Sequence, residues 1–268
     1  MSLHEAVEAI PRKTMVLFFL VDTSGSMSGS KIGALNAAIE EVIPELREIS
    51  ASNADARIKV AALEFSDGNR WINPEPVEAE NFQWVYLDAC GSTNLGAALR
   101  ELNEKLSTKA FMREATGSFA PALFLLSDGE PTDDFDGGLE ELKKNNWFKQ
   151  AIKVAVAIGE DANQEILAKF TGSKESVLEV HNAKMLKKMI RFVSVRASQV
   201  ASSSVQASAL NTAGTNLPNA AAVSVPQTDP LEGSAVQGLP PPTIKQQALN
   251  AQIAEMAVET AVEGDDEW

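Results

Sequence analysis

Cysteine is almost missing from this chain. Cys90 is the only one in 268 residues, so no internal disulfide can form, and that usage suits a reducing compartment. Histidine is nearly as scarce, and His4 and His181 stand too far apart in sequence to suggest a catalytic dyad. Basic residues are in deficit. With 23 Lys and Arg against 37 Asp and Glu, the formal net charge is −14. That balance argues against nucleic acid or an anionic membrane as partner, since both attract a basic surface. No apolar run approaches the ~20 residues of a spanning helix. Residues 1–11, a short lead-in, carry Glu5 and Glu8 and lack the apolar core of a secretory leader. The expectation is a cytoplasmic protein. Internal repeats are also lacking.

The alternation of apolar runs and amphipathic stretches is pronounced. Val16 to Val21 is apolar without a polar break, which suits a parallel strand covered on both faces. Residues 57–65, 120–126, 151–159 and 176–180 read as further strands. Ile32, Leu35, Ile39, Val42, Ile43 and Leu46 recur at helical spacing over about 30–49, where Pro44 predicts a kink or an early break. Further helices are expected over 94–109, 139–146, 163–170 and 183–195. The tight turn Ser66-Asp67-Gly68-Asn69 predicts an antiparallel strand at Arg70-Trp71-Ile72. Residues 74–90 read as irregular, with 84–87 as a short element. This pattern predicts a doubly wound α/β fold, a mostly parallel central sheet with one antiparallel strand and helices on both faces.

Ligands of such sheets sit in the crevice beyond the carboxyl ends of the strands. Three strand ends carry oxygen donors. The first strand runs into Asp22-Thr23-Ser24-Gly25-Ser26-Met27. Gly91-Ser92-Thr93-Asn94 opens a helix. Leu125-Leu126-Ser127-Asp128-Gly129-Glu130-Pro131 puts an Asp just after an apolar strand. One carboxylate and two hydroxyls on a tight turn, with no His or Cys nearby, suit a hard cation such as Mg2+. The same residue types also build a simple Asx turn or helix cap.

These three loops, in this order, resemble the metal-ion-dependent adhesion site of von Willebrand factor A domains, and the resemblance extends over 12–196. It implies a Rossmann-like fold and Mg2+ or Mn2+ held by Asp22, Ser24, Ser26, Thr93 and Asp128. Ser24 and Ser26 would bind directly, Thr93 directly or through water, and Asp128 mainly through water. It also implies a protein partner that supplies an Asp or Glu to the ion, hence a binding module and not an enzyme. Leu-Val-Asp-Thr-Ser-Gly-Ser-Met and Leu-Ser-Asp-Gly-Glu-Pro-Thr-Asp are most similar to the intracellular bacterial tellurium-resistance-associated (TerY-like) group, which implies a stress-response setting.

Two enzymatic readings compete with it. Gly25-Ser26-Met27-Ser28-Gly29-Ser30-Lys31 has the wrong spacing for a phosphate-binding P-loop. A metal-dependent phosphoester hydrolase or phosphotransferase using Asp22 or Asp128 needs a general base, and none is evident. An assembly subunit with a silent metal site is a third reading. Cys90 reads as a small buried hydrophobe. Asp133, Asp134 and Asp136 read as a solvated loop.

Beyond Arg196 the composition shifts. Residues 197–268 hold one basic residue, Lys245, and eight acids, with Trp268 the only aromatic. Residues 197–242 read as a disordered linker. Residues 243–268 read as a C-terminal helix with an acidic end, Asp265-Asp266-Glu267, that could supply a carboxylate to the metal of its own domain or of a neighbouring copy.

Overall fold

A computed structural model describes residues 12–53, 56–114 and 117–180, together with Lys188, Arg191, Phe192, Gln247, Asn250 and Ala251. Among the described residues the core is a seven-stranded sheet. β1 (Lys13–Asp22) lies at its centre, between β2 (Ala56–Phe65) and β5 (Ala122–Ser127). β6 (Ile152–Ile158) and β7 (Val177–Val180) continue the sheet beyond β5, and all these pairings are parallel. On the other edge β2 meets β3 (Asn69–Trp71) and the two-residue β4 (Val77–Glu78), both antiparallel. The antiparallel edge is thus where the Ser66–Asn69 turn predicts it, with β4 added from a stretch that reads as irregular. No element forms over 84–87.

Period-2 alternation in β1 feeds two separate cores. Met15, Leu17, Phe19 and Val21 pack on the side of α1 (Ser30–Ser52), with Leu35, Ile39, Val42 and Leu46. Val16, Phe18 and Leu20 pack on the opposite side with α2 (Leu95–Lys105), α3 (Phe135–Lys143), α4 (Asn146–Gln150) and α5 (Gln164–Thr171). Strands buried on both faces must be apolar throughout, which is why β1 shows no hydrophobic-polar rhythm. Trp71 is half-buried against Phe18 and Phe111 and donates its indole N–H to Glu101.

Several boundaries differ from the sequence reading. α1 does not break at Pro44 but runs on to Ser52. Pro44 is exposed, so the carbonyl it leaves without an N–H partner faces water, while the buried stripe on either side of it is continuous. α2 stops at Lys105, four residues short of the expected 109, because Asn145 donates to the Leu106 carbonyl and closes the helix end. α3 starts four residues early, at Phe135. Gly137 and Gly138 make poor helix by propensity, yet Gly138 is needed. A β-carbon there would sit 2.4 Å from the Gly96 carbonyl oxygen, and one on Gly96 would sit 2.3 Å from that of Asp134. The two helices meet through their glycines.

The segments 1–11 and 197–242 lie outside the described residues, as does most of 183–195 and of 243–268. Arg191 pairs with Glu45 of α1, and Phe192 packs on the α1-side core. Asn250 is buried and bonds both Ser173 and Ser176, on the turn that leads into β7. Among the described residues no helix is long and apolar enough to cross a membrane.

One half-buried charge sets a pH dependence. Lys153 of β6 donates to the carbonyls of Phe148 and Ala151, and its ammonium stands 5.0 Å from the Phe148 ring. Burial pushes its pKa down to about 8 from the ordinary 10.5. Between those two values the unfolded chain holds a proton that the folded chain has released. Stability from this group therefore rises with pH, by at most about 1.4 kcal/mol per unit. Below pH 8 its penalty is constant. The unfolding free energy of the wild type, minus that of Lys153→Met, is expected to climb from pH 8 to 10 in urea titrations. A flat difference would show that Lys153 titrates as an exposed lysine.

Candidate metal centre

The parallel sheet brings the ends of β1, β2, β5 and β6 to one edge. Asp22 closes β1 and is fully buried. One of its carboxylate oxygens accepts the Ser24 N–H at 2.8 Å, an Asx turn, and the other accepts the Ser127 hydroxyl at 2.6 Å. The turn expected as the structurally bland alternative is therefore present, and it fixes the carboxylate. Burial pushes the Asp22 carboxyl above the ordinary carboxylate range. Its hydrogen bonds to Ser127 and Ser24 oppose that shift, and the charge of Asp128 adds to it.

After Ser24 the chain makes a 3-10 turn over Gly25–Met27, locked by the buried Met27 side chain. The Ser24 and Ser26 hydroxyls share a hydrogen bond of 3.0 Å, with Ser24 buried and Ser26 exposed. Main-chain bonds tie this loop to the second. Gly25 donates to the Gly91 carbonyl at 2.9 Å, and Cys90 donates to that of Thr23 at 2.8 Å.

Thr93 is 4% exposed and sits between loops two and three. Its N–H donates to the Thr132 hydroxyl at 3.0 Å, and its carbonyl accepts the Thr132 N–H at 2.9 Å. Asp67, from the β2–β3 turn, holds the same loop from the other side. It accepts the N–H and the hydroxyl of Ser92, which keep its carboxyl below the ordinary range. Asp128 follows β5 and is 2% exposed. Its carbonyl accepts the Asn163 N–H at 2.6 Å. One carboxylate oxygen lies 3.6 Å from the Lys31 ammonium, and the other is buried with no hydrogen-bond partner.

That orphaned oxygen tests whether the residues fit a cation. A buried carboxylate oxygen with nothing to bond is costly. Asp128 and Asp22 moreover raise each other's energy as like charges. Two carboxylates and the hydroxyls of Ser24, Ser26 and Thr93 form an all-oxygen set that suits a hard dication. Among the described residues no three His, Cys, Asp or Glu side chains cluster, so the set is poor in charge for a metal site.

The neighbouring acids have other tasks. Asp133 accepts the Gly96 and Ala97 N–H groups, both at 2.8 Å, and so caps α2 from the third loop. Asp134 caps α3 and bonds Arg100, and Asp136 pairs with Lys169. Cys90 corrects the sequence reading. It is exposed, because its backbone is committed to Thr23 at the sheet edge and its side chain has no core to enter. Asp67 reads from the sequence as part of a turn and Asp133 as part of a solvated loop. Their role in fixing the Thr93 loop was not legible, since each acts on a loop far away in sequence.

A family model described as von Willebrand factor type A domain matches residues 17–192. The human collagen alpha-6(VI) chain is 27% identical over 183 residues, which is 65% of this chain but only 7% of that one. The von Willebrand factor type A structure from Catenulispora acidiphila is 19% identical with a TM-score of 0.52, over 69% of this chain and 43% of the other. Proximal thread matrix protein 1 from the mussel byssus, with a zinc-occupied MIDAS motif, is 15% identical with a TM-score of 0.51, over 68% and 47%. At these identities the two solved structures bear on the fold alone.

Asp133→Ala removes two charge-assisted bonds to the first turn of α2. A loss of about 1–2 kcal/mol in unfolding free energy is expected in denaturant titrations. Wild-type stability in the variant would mean that solvent caps α2 equally well.

Proposed function

This chain belongs to the von Willebrand factor type A domain family, and on that premise we propose that it is a divalent-cation-dependent protein-binding module. The observation that carries the proposal is the buried, unpartnered carboxylate oxygen of Asp128 beside the fully buried Asp22. Asp22, Ser24, Ser26, Thr93 and Asp128 would hold the ion. Mg2+ or Mn2+ is the proposed occupant, since the donor set is all oxygen. When bound, the ion supplies a Lewis-acidic position that accepts a carboxylate from a protein partner.

The chain's own residues do the rest. Asp22 carries charge to the site and is oriented by Ser24 and Ser127. The three hydroxyls donate neutral oxygens, so the site does not quench a dication. Asp67, Thr132 and Asp133 keep the Thr93 loop in place by bonds to its backbone and to α2. We place the protein in the cytoplasm, which suits its single cysteine, and in a tellurium-resistance or stress-type system, on the strength of the Leu20–Met27 and Leu126–Asp133 motifs.

A second occupant is the chain's own acidic end. Asn250 lies on the Ser173–Ser176 turn. From there Asp265 can reach ~50 Å along an extended chain, enough to span the sheet.

Pull-downs from source lysate test the proposal, using wild type with Mg2+, wild type with EDTA, and Asp22→Ala. A protein retained only by wild type with Mg2+ is the expected outcome. Equal retention in all three refutes metal-dependent adhesion. A chain lacking 197–268 that retains more partner would identify the acidic end as a competitor. Turnover of a phosphoester that Asp22→Ala abolishes would instead favour the hydrolase reading.

A further inference from the structure

Lys31 stands where elementary electrostatics disfavours a cation. It is the second residue of α1, in the first turn, where the helix dipole repels positive charge, and no acid shares that turn. Even so its side chain is only 16% exposed. The ammonium lies 2.8 Å from Asp161 on the loop after β6, and 3.6 Å from Asp128 on the loop after β5. Space is reserved for this arrangement. Gly159 has φ +95°, and a β-carbon on it would come within 2.6 Å of Lys31 Cε and 2.8 Å of an Asp161 carboxylate oxygen. The two acids differ sharply, since the Asp128 side chain is 3% exposed and that of Asp161 is 73% exposed.

We infer that Lys31 is a built-in competitor of the divalent cation, sharing Asp128 with the metal position and lowering the site's affinity, while Asp161 is the seat that lets it yield. The inference rests on the metal-binding proposal. Without a dication, Lys31 is the positive charge that the buried Asp128 meets. With one, an ammonium beside a ligand carboxylate repels the ion, and burial weakens the screening that would hide the repulsion. Weakening Lys31's tie to Asp161 returns it to Asp128. Removing Lys31 leaves Asp128 to the metal alone.

Mn2+ binding by calorimetry on the full chain tests this, with wild type, Lys31→Met, Lys31→Gln, Asp161→Asn and the double variant Lys31→Met/Asp161→Asn. Both Lys31 variants are expected to bind about tenfold more tightly. Asp161→Asn is expected to bind about threefold more weakly, and that loss should vanish once Lys31 is Met. Thermal melts give a readout that does not need binding. The metal-free Lys31 variants should melt below wild type, and the gap should close in saturating Mn2+. Unchanged or weaker binding in both Lys31 variants, with wild type binding normally, overturns the inference and leaves the metal-binding proposal standing. No binding by any of the five proteins overturns both.

Discussion

The structure depends on keeping a carboxylate charge at the buried end of β1. Asp22 has no solvent contact, and an ionised group there is tolerable only with its oxygens bonded. One bond is local, from Ser24 two residues on. The other comes from Ser127, and only the parallel pairing of β1 with β5 brings it there, since Val21 lies opposite Leu126 in the register. A slip of one residue would turn Ser127 to the other face of the sheet and leave Asp22 with half its partners. The apolar uniformity of β1 and β5 fixes their depth in the sheet. The polar residues at their ends lock the register.

Around this pair the loops are braced by groups that do not themselves belong to the donor set. Asp67 holds Ser92, Thr132 holds both polar groups of the Thr93 backbone, and Asp133 caps the helix that Thr93 leads into. Each brace uses a backbone N–H as donor and so fixes main chain; the hydroxyls it engages, those of Ser92 and Thr132, lie outside the donor set, and that of Thr93 is left free. That division matters for a site made of neutral oxygens. The Ser24 and Ser26 hydroxyls share one internal bond, which uses a single proton and leaves oxygen lone pairs for a cation. The Thr93 side chain is spared such a bond because the backbone on either side of it carries the bracing.

Much of this was readable in the chain. Val16–Val21 and Ala122–Leu126 announce buried parallel strands by their lack of alternation, and Asp22-x-Ser-x-Ser and Asp128 fall at strand ends by position alone, whereas Thr93 opens α2 with no strand directly before it. What escaped the sequence reading acts across long separations. Asp133 looks like one of three loop acids until α2 is seen to start against it. Gly138 looks like loop, because the closeness of α2 that requires a small residue is a tertiary fact. Pro44 looks like a breaker because local propensity knows nothing of water at the exposed carbonyl. Cys90 looks buried by its residue type, whereas a backbone bond to Thr23 holds it at the rim.

Lys31 changes the charge balance of the centre on the proposed reading. Asp22 and Asp128 bring two negative charges, and Lys31 offsets one of them from 3.6 Å. A dication then leaves the buried groups with a surplus of one positive charge, which Asp161, 2.8 Å from Lys31 but 73% exposed, offsets only through a solvent-screened contact. A partner's carboxylate removes that surplus, so ion and partner each favour the other's binding, and by linkage the coupling is the same in both directions. With three carboxylates, or with no lysine, the ion would be held tightly and left with little attraction for an acidic group. A centre short of negative charge is what an adhesion site requires, and the first turn of α1 supplies part of that shortage.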